Sequence, residues 1–262
     1  MKHRTVSWFV VFAVLSTFLV ACGPSKEEKE LAAKKAQLDQ EIGVIEQTWN
    51  ELKDLRSQVE AKQAELREIE ATPKRKLSPE QKQALETLPE EIAQLTQKVD
   101  TDYEALQDKL ADFLNVALND FPDDPATDKA LMIYSEEALV TAAEHVRKAG
   151  DYKKAIEILS TAKNYYENLG KTPYPKLSEA IGHYEEMRYI TKDRFDAVKK
   201  GMTIDEVSEV AGPAYYGNRR EEKGAIMWLY PRRDGGAAAI YFRKKTGKVY
   251  AKKWDAVKPQ VK

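Results

Sequence analysis

Two apolar stripes, separated by one short proline-containing turn, constrain this 262-residue chain more than any other feature. The first runs through Leu31, Leu38, Ile42, Ile45, Trp49, Leu52, Val59 and Leu66. Steps that alternate between three and four keep one side of a helix apolar, the seam of a coiled coil. Arg56 and Gln63 interrupt the seam, and Leu55 shares the work of the first of them. Thr72-Pro73 stops the helix, because proline disfavours the α conformation in the residue before it. After the basic turn Lys74-Arg75-Lys76, Ser78 reads as an N-cap with Pro79 at the first helical position. The second stripe runs through Leu85, Leu88, Ile92, Leu95, Val99, Tyr103, Leu106, Leu110, Phe113 and Ala117. Pro89 lies inside it and is expected to kink the helix or to start a new one.

Two similar seams flanking one short turn predict an antiparallel helical hairpin over 31–120. With some 40 residues per arm, its length is on the order of 60 Å. The competing arrangement is coiled-coil self-association, a parallel dimer in which each helix pairs with its copy. The patterning alone leaves it open.

Charge is distributed unevenly along the chain. Charged residues make up 32% and the net charge is only -1, yet from Ser25 to Asp120 there are 22 acidic against 14 basic residues. From Lys192 onward the balance reverses, 9 acidic to 17 basic. Such an asymmetry points to distinct surfaces with distinct partners. The three histidines, His3, His145 and His183, are scattered, so no metal site is expected. No nucleophile elbow, zinc-binding helix motif or phosphate loop is present, and no enzyme is expected. The paired carboxylates Glu136-Glu137 and Glu90-Glu91 read as solvated helix faces.

The amino terminus carries the only cysteine, Cys22. A basic start (Lys2, His3, Arg4) precedes an apolar core from Val6 to Leu19, shorter than a membrane-spanning helix requires. Leu19-Val20-Ala21-Cys22 resembles the lipobox of bacterial lipoproteins. The resemblance implies cleavage between Ala21 and Cys22, a signal peptide over 1–21, and acyl chains on Cys22, which heads a polar lipidated tether over 22–30. Two chains suffice for stable anchoring. The alternatives are a plain secretory peptide leaving Cys22 as a free thiol, or an uncleaved anchor. A lone exported thiol invites intermolecular pairing, which favours lipidation. Gly23 after the cysteine implies, by resemblance to lipoprotein sorting, an outer-membrane location facing the periplasm. No cofactor is expected beyond this covalent lipid.

Asn119 to Pro125 is a Pro/Asp boundary, with Thr127 or Asp128 available to cap the next helix. The segment 125–190 then carries Ala143, Gly150, Tyr152, Ala155 and Ala162 at positions that resemble one tetratricopeptide repeat. A further helix is expected from Pro175 to about Ile190. Glu167 stands where that family has a proline. A single repeat cannot bury its apolar face alone and must pack on a neighbour.

From Thr191 the pattern changes to two short helices and three strands, Ile226–Tyr230, Ala237–Arg243 and Lys248–Trp254, an α+β unit over 191–258. Phe195, Val198, Gly201-Met202-Thr203, Glu206-Val207, Gly212-Pro213 and Trp228-x-Tyr230 together resemble the SmpA/OmlA (BamE-like) domain. Gly212 and Pro213 are adjacent here, where that family usually has an intervening residue. The resemblance implies an outer-membrane lipoprotein domain acting in envelope integrity, with partners among outer-membrane assembly components. Basic and aromatic residues interleave along this unit, Tyr241, Tyr250, Trp254 and Lys252-Lys253 included, chief among them Arg219, Arg220, Trp228, Tyr230, Arg232, Arg233, Arg243, Lys244 and Lys245. These are the candidate binding residues, for phospholipid headgroups, lipopolysaccharide phosphates or an acidic protein. Export argues against nucleic acid. The chain is therefore expected to be mainly α with a small α+β domain, a non-enzymatic, membrane-anchored scaffold or adaptor in envelope assembly. The alternative function is a periplasmic inhibitor or regulator acting through the α+β unit.

Overall fold

The computed structural model describes residues 25–256. Ala21 and Cys22, with the rest of the expected signal peptide, lie outside the described residues. Within them the chain is mainly helical, with a small carboxy-terminal antiparallel sheet.

Helix α1 spans Lys26–Ala71 and α2 spans Pro79–Asp120, joined through a 3-10 turn at Lys74–Lys76. Each opens on a capping box, Ser25 with Glu28 and Ser78 with Gln81. In each box the N-cap hydroxyl and the N3 side chain satisfy backbone N–H groups reciprocally. The Ser25 box starts α1 inside the stretch expected to be a tether, so only the residues before Lys26 remain for that role.

The two helices are antiparallel. Lys34 Nζ meets Asp120 Oδ2 at 2.9 Å near one end, and Lys62 Nζ meets Glu91 Oε2 at 2.5 Å toward the other. At 1.5 Å per residue, the 46 residues of α1 make it about 69 Å long. Pro89 does not restart α2, which continues through it as one helix. The residue is exposed on the open arm, where water can satisfy the carbonyl it leaves unpaired. Ile69, Leu77 and Leu88 close a small separate core at the tip.

Helix α3 (Pro125–Ala149) returns along the arm, capped by Asp124 rather than by Thr127 or Asp128. Helices α4 (Tyr152–Asn168) and α5 (Pro175–Met187) stack on it, α5 ending slightly earlier than expected. Leu38, Ile42, Ile45 and Leu52 of α1 share one core with Leu106, Leu110 and Phe113 of α2 and Leu131, Ile133 and Leu159 of the later helices.

A second core belongs to the last unit. Helices α6 (Lys192–Ala197) and α7 (Ile204–Ala211) cover one face of a meander β1-β2-β3-β4. The sheet has four strands, not three: β1 (Arg219–Glu222) precedes β2 (Ala225–Pro231), β3 (Ala237–Arg243) and β4 (Lys248–Lys253). The sequence Arg-Arg-Glu-Glu conceals β1, because a short charged edge strand carries no apolar alternation. Phe195, Val198, Val207, Trp228, Tyr230, Ile240, Phe242 and Val249 fill this core. Lys252 is drawn inward, donating through Nζ to the carbonyls of Phe195 at 2.7 Å and Val198 at 2.8 Å. It thus closes the carboxy end of α6, and burial lowers its pKa.

Candidate functional site

Strand register sorts the basic and aromatic residues of the sheet onto two faces. Directly opposed residues share a face. Ile226, Trp228 and Tyr230 pair with Phe242, Ile240 and Ala238 and point to the helices. Met227 pairs with Tyr241, and Arg220 with Met227, on the other face. A bulge between Tyr241 and Phe242 leaves Tyr250 as the extra residue of β4. Tyr250 lies on the outer face too, its ring centroid 6.2 Å from that of Tyr241 and 5.4 Å from the Arg243 guanidinium.

The nine candidate residues therefore separate. Trp228 and Tyr230 are buried in the core and belong to no basic surface. Arg219 is half-buried, with its guanidinium 4.9 Å from the Trp228 ring centroid. It donates from Nε to the Ala214 carbonyl at 2.9 Å and from Nη1 to the Lys148 carbonyl at 3.4 Å. Arg232 is held by Asp234 and Asp255 and lies 4.6 Å from the Trp254 ring centroid. The hydrogen bonds it donates to Asp234 and Asp255 raise its pKa, and in return lower that of Asp234 to about 2. Arg233 lies against Tyr189, and Lys244 pairs with Glu221. Lys245 is exposed on the turn after β3.

What remains on the outer face is Arg220 and Arg243, joined by Lys248 and Lys253, with Glu222 the single acid among them. Met227, Tyr241 and Tyr250 lie between these cations, Tyr250 being 36% exposed. Tyr241 and Tyr250 thus turn outward, whereas Trp228 and Tyr230 turn into the core. The alternation within β2 and β3 held the needed signal, since one residue set of each strand must turn from the core.

A second cluster joins the helices. Glu137, only 1% exposed, accepts two hydrogen bonds from Arg56 at 2.8 Å and one from Trp49 Nε1 at 2.9 Å. The carboxylate is thus no solvated face, and Arg56 no simple seam defect. The geometry is bidentate and fully satisfied, which suits a structural clasp.

A narrow cleft of about 40 Å³ lies between the helices and the sheet unit, lined by Tyr152, Met187, Arg188, Tyr215 and Asn218 among others. It is far smaller than the roughly 300 Å³ of an ordinary small-molecule pocket. Among the described residues no group of three or more His, Cys, Asp or Glu side chains is placed to hold a metal ion, and no helix is long and apolar enough to cross a membrane. Comparison with family models, curated proteins and solved structures finds no match to this chain.

Proposed function

We propose that this chain is a non-enzymatic lipoprotein, acylated at Cys22, that acts as an adaptor in envelope assembly. In this reading 125–190 is a tetratricopeptide-like module and 191–258 a BamE-like unit. The observation that carries the reading is the folding-back of the arm. Lys34 and Asp120 meet at its base, and Lys35 meets Asp124 there at 2.5 Å, so the anchored end of α1 and the first residue of α3 lie together. Helix α3 then leads the chain away again, over 25 residues or about 37 Å. An anchor at Cys22 would hold the sheet unit partway up the arm, clear of the headgroups, with the exposed Arg220, Arg243, Lys248 and Lys253 presented to a protein of the envelope.

Two measurements test this. Labelled palmitate is expected in the wild-type chain and absent from Cys22→Ala, which stays an uncleaved precursor; normal processing of that variant overturns the anchor. Crosslinking in intact membranes and subsequent purification are expected to recover outer-membrane assembly components. Recovery of a stoichiometric soluble enzyme instead would make the chain an inhibitor.

A further inference from the structure

We propose that the outer sheet face docks on the acidic outer side of α2 in a second copy of this chain; the inference rests on the proposed role of this face as a docking surface. Its four cations, Arg220, Arg243, Lys248 and Lys253, make no ion pair among the described residues. Across four strands they spread over about 14 Å. The chain itself supplies a matching surface. Asp100, Glu104, Asp108 and Asp112 recur every four residues along α2, so they form one row about 18 Å long.

All four acids are exposed, and none takes part in an ion pair among the described residues. Like charges at this spacing disfavour a helix. The repulsion is relieved when the cationic patch, of similar extent, lies across it. The row faces away from Leu106, Leu110 and Phe113, which bury the opposite side of α2, so docking disturbs neither the arm nor the clasp at Glu137. Met227, Tyr241 and Tyr250 supply the apolar and aromatic contact that turns charge steering into a seated interface. One copy presents both surfaces, so the contact is heterologous and extends from copy to copy into a row or a ring.

The test places photoreactive benzoylphenylalanine at Tyr250 of the full chain in producing cells. The expected adduct has twice the mass of the chain, with the crosslinked peptide covering residues 100–112. Adducts with other envelope proteins alone overturn docking between copies while leaving the docking face intact. Adducts with lipid alone, or none, overturn both. A charge exchange separates docking from misfolding. Arg243→Glu with Lys253→Glu is expected to reduce the adduct about tenfold at unchanged melting temperature. Adding Glu104→Lys and Asp108→Lys to the same chain is expected to restore it; a yield that stays low overturns the proposal.

Discussion

Two joints hang on the same three helices and are built on opposite principles. The arm is joined to α3 by charge, through Glu137 held by Arg56 and Trp49, with Tyr103 bonded to Thr141 at 2.9 Å beside it. The sheet unit is joined by close approach. Gly150 touches the backbone of Ala214 and Tyr215, and Arg194 and Arg219 donate to main-chain carbonyls. At the first joint every buried polar group that forms the clasp is paired. At the second, the Tyr152 hydroxyl is buried with no hydrogen-bond partner among the described residues. The contrast teaches that satisfied charge fixes the arm in one register, whereas close fit and hydrogen bonds to main-chain carbonyls seat the sheet unit.

The largest effect is expected at the clasp. Glu137→Ala leaves the Arg56 guanidinium partly buried with no carboxylate, a change that costs about 3–5 kcal/mol. Denaturant unfolding measures it. The double variant Glu137→Leu with Arg56→Met is expected to recover most of the loss, because an apolar pair leaves no uncompensated charge. A double variant as weak as Glu137→Ala would mean that shape, and not charge, holds this joint too.

Next come two glycines that share a left-handed backbone but differ in surroundings. Gly150 has φ +61, and a Cβ there would stand 2.3 Å from the Ala214 carbonyl oxygen. Gly150→Ala therefore combines backbone strain with a collision against main chain, about 2–4 kcal/mol together. Gly201 has φ +91 with nothing within 4 Å of a Cβ. Gly201→Ala is expected to cost only the conformational part, about 1–2 kcal/mol. Equal losses in thermal melts of the two variants would remove the claim that the second joint depends on close approach.

The long elements were legible in the sequence because they repeat a simple rule. Each seam residue in α1 and α2 contributes to one periodicity, and capping residues such as Ser78 and Thr203 mark helix starts by chemistry that operates locally. The missed features depend on partners far away in the chain. Glu137 looks solvated until α3 is laid on α1, which brings Arg56, 81 positions away, within hydrogen-bond reach. Alternation groups Trp228 and Tyr230 with Ile226, and Tyr241 with Arg243; the packing of α6 and α7 then decides which of these faces is the core. The outer face with Tyr250 required the bulge in β4, which no local pattern announces.

The smallest expected effects lie in the two tyrosines of the second joint. Tyr230 donates to the Gly212 carbonyl at 2.9 Å, so Tyr230→Phe forfeits a buried bond, about 1 kcal/mol. Tyr152→Phe removes a hydroxyl that has no partner and is expected to be neutral or stabilising by up to about 1 kcal/mol. Both phenols are also pushed to high pKa by burial. A raised folded pKa keeps the full contribution below the ordinary tyrosine value near 10 and loses it as pH rises through the folded value. The sheet unit should therefore loosen above about pH 10, and Tyr152→Phe should flatten that alkaline fall. Lysines that titrate in the same range are shared by wild type and variant, so the difference between their melting curves isolates the phenol. A fall as steep in Tyr152→Phe as in wild type would show that Tyr152 gains a partner when the joint relaxes, and that this joint, like the other, is satisfied in solution.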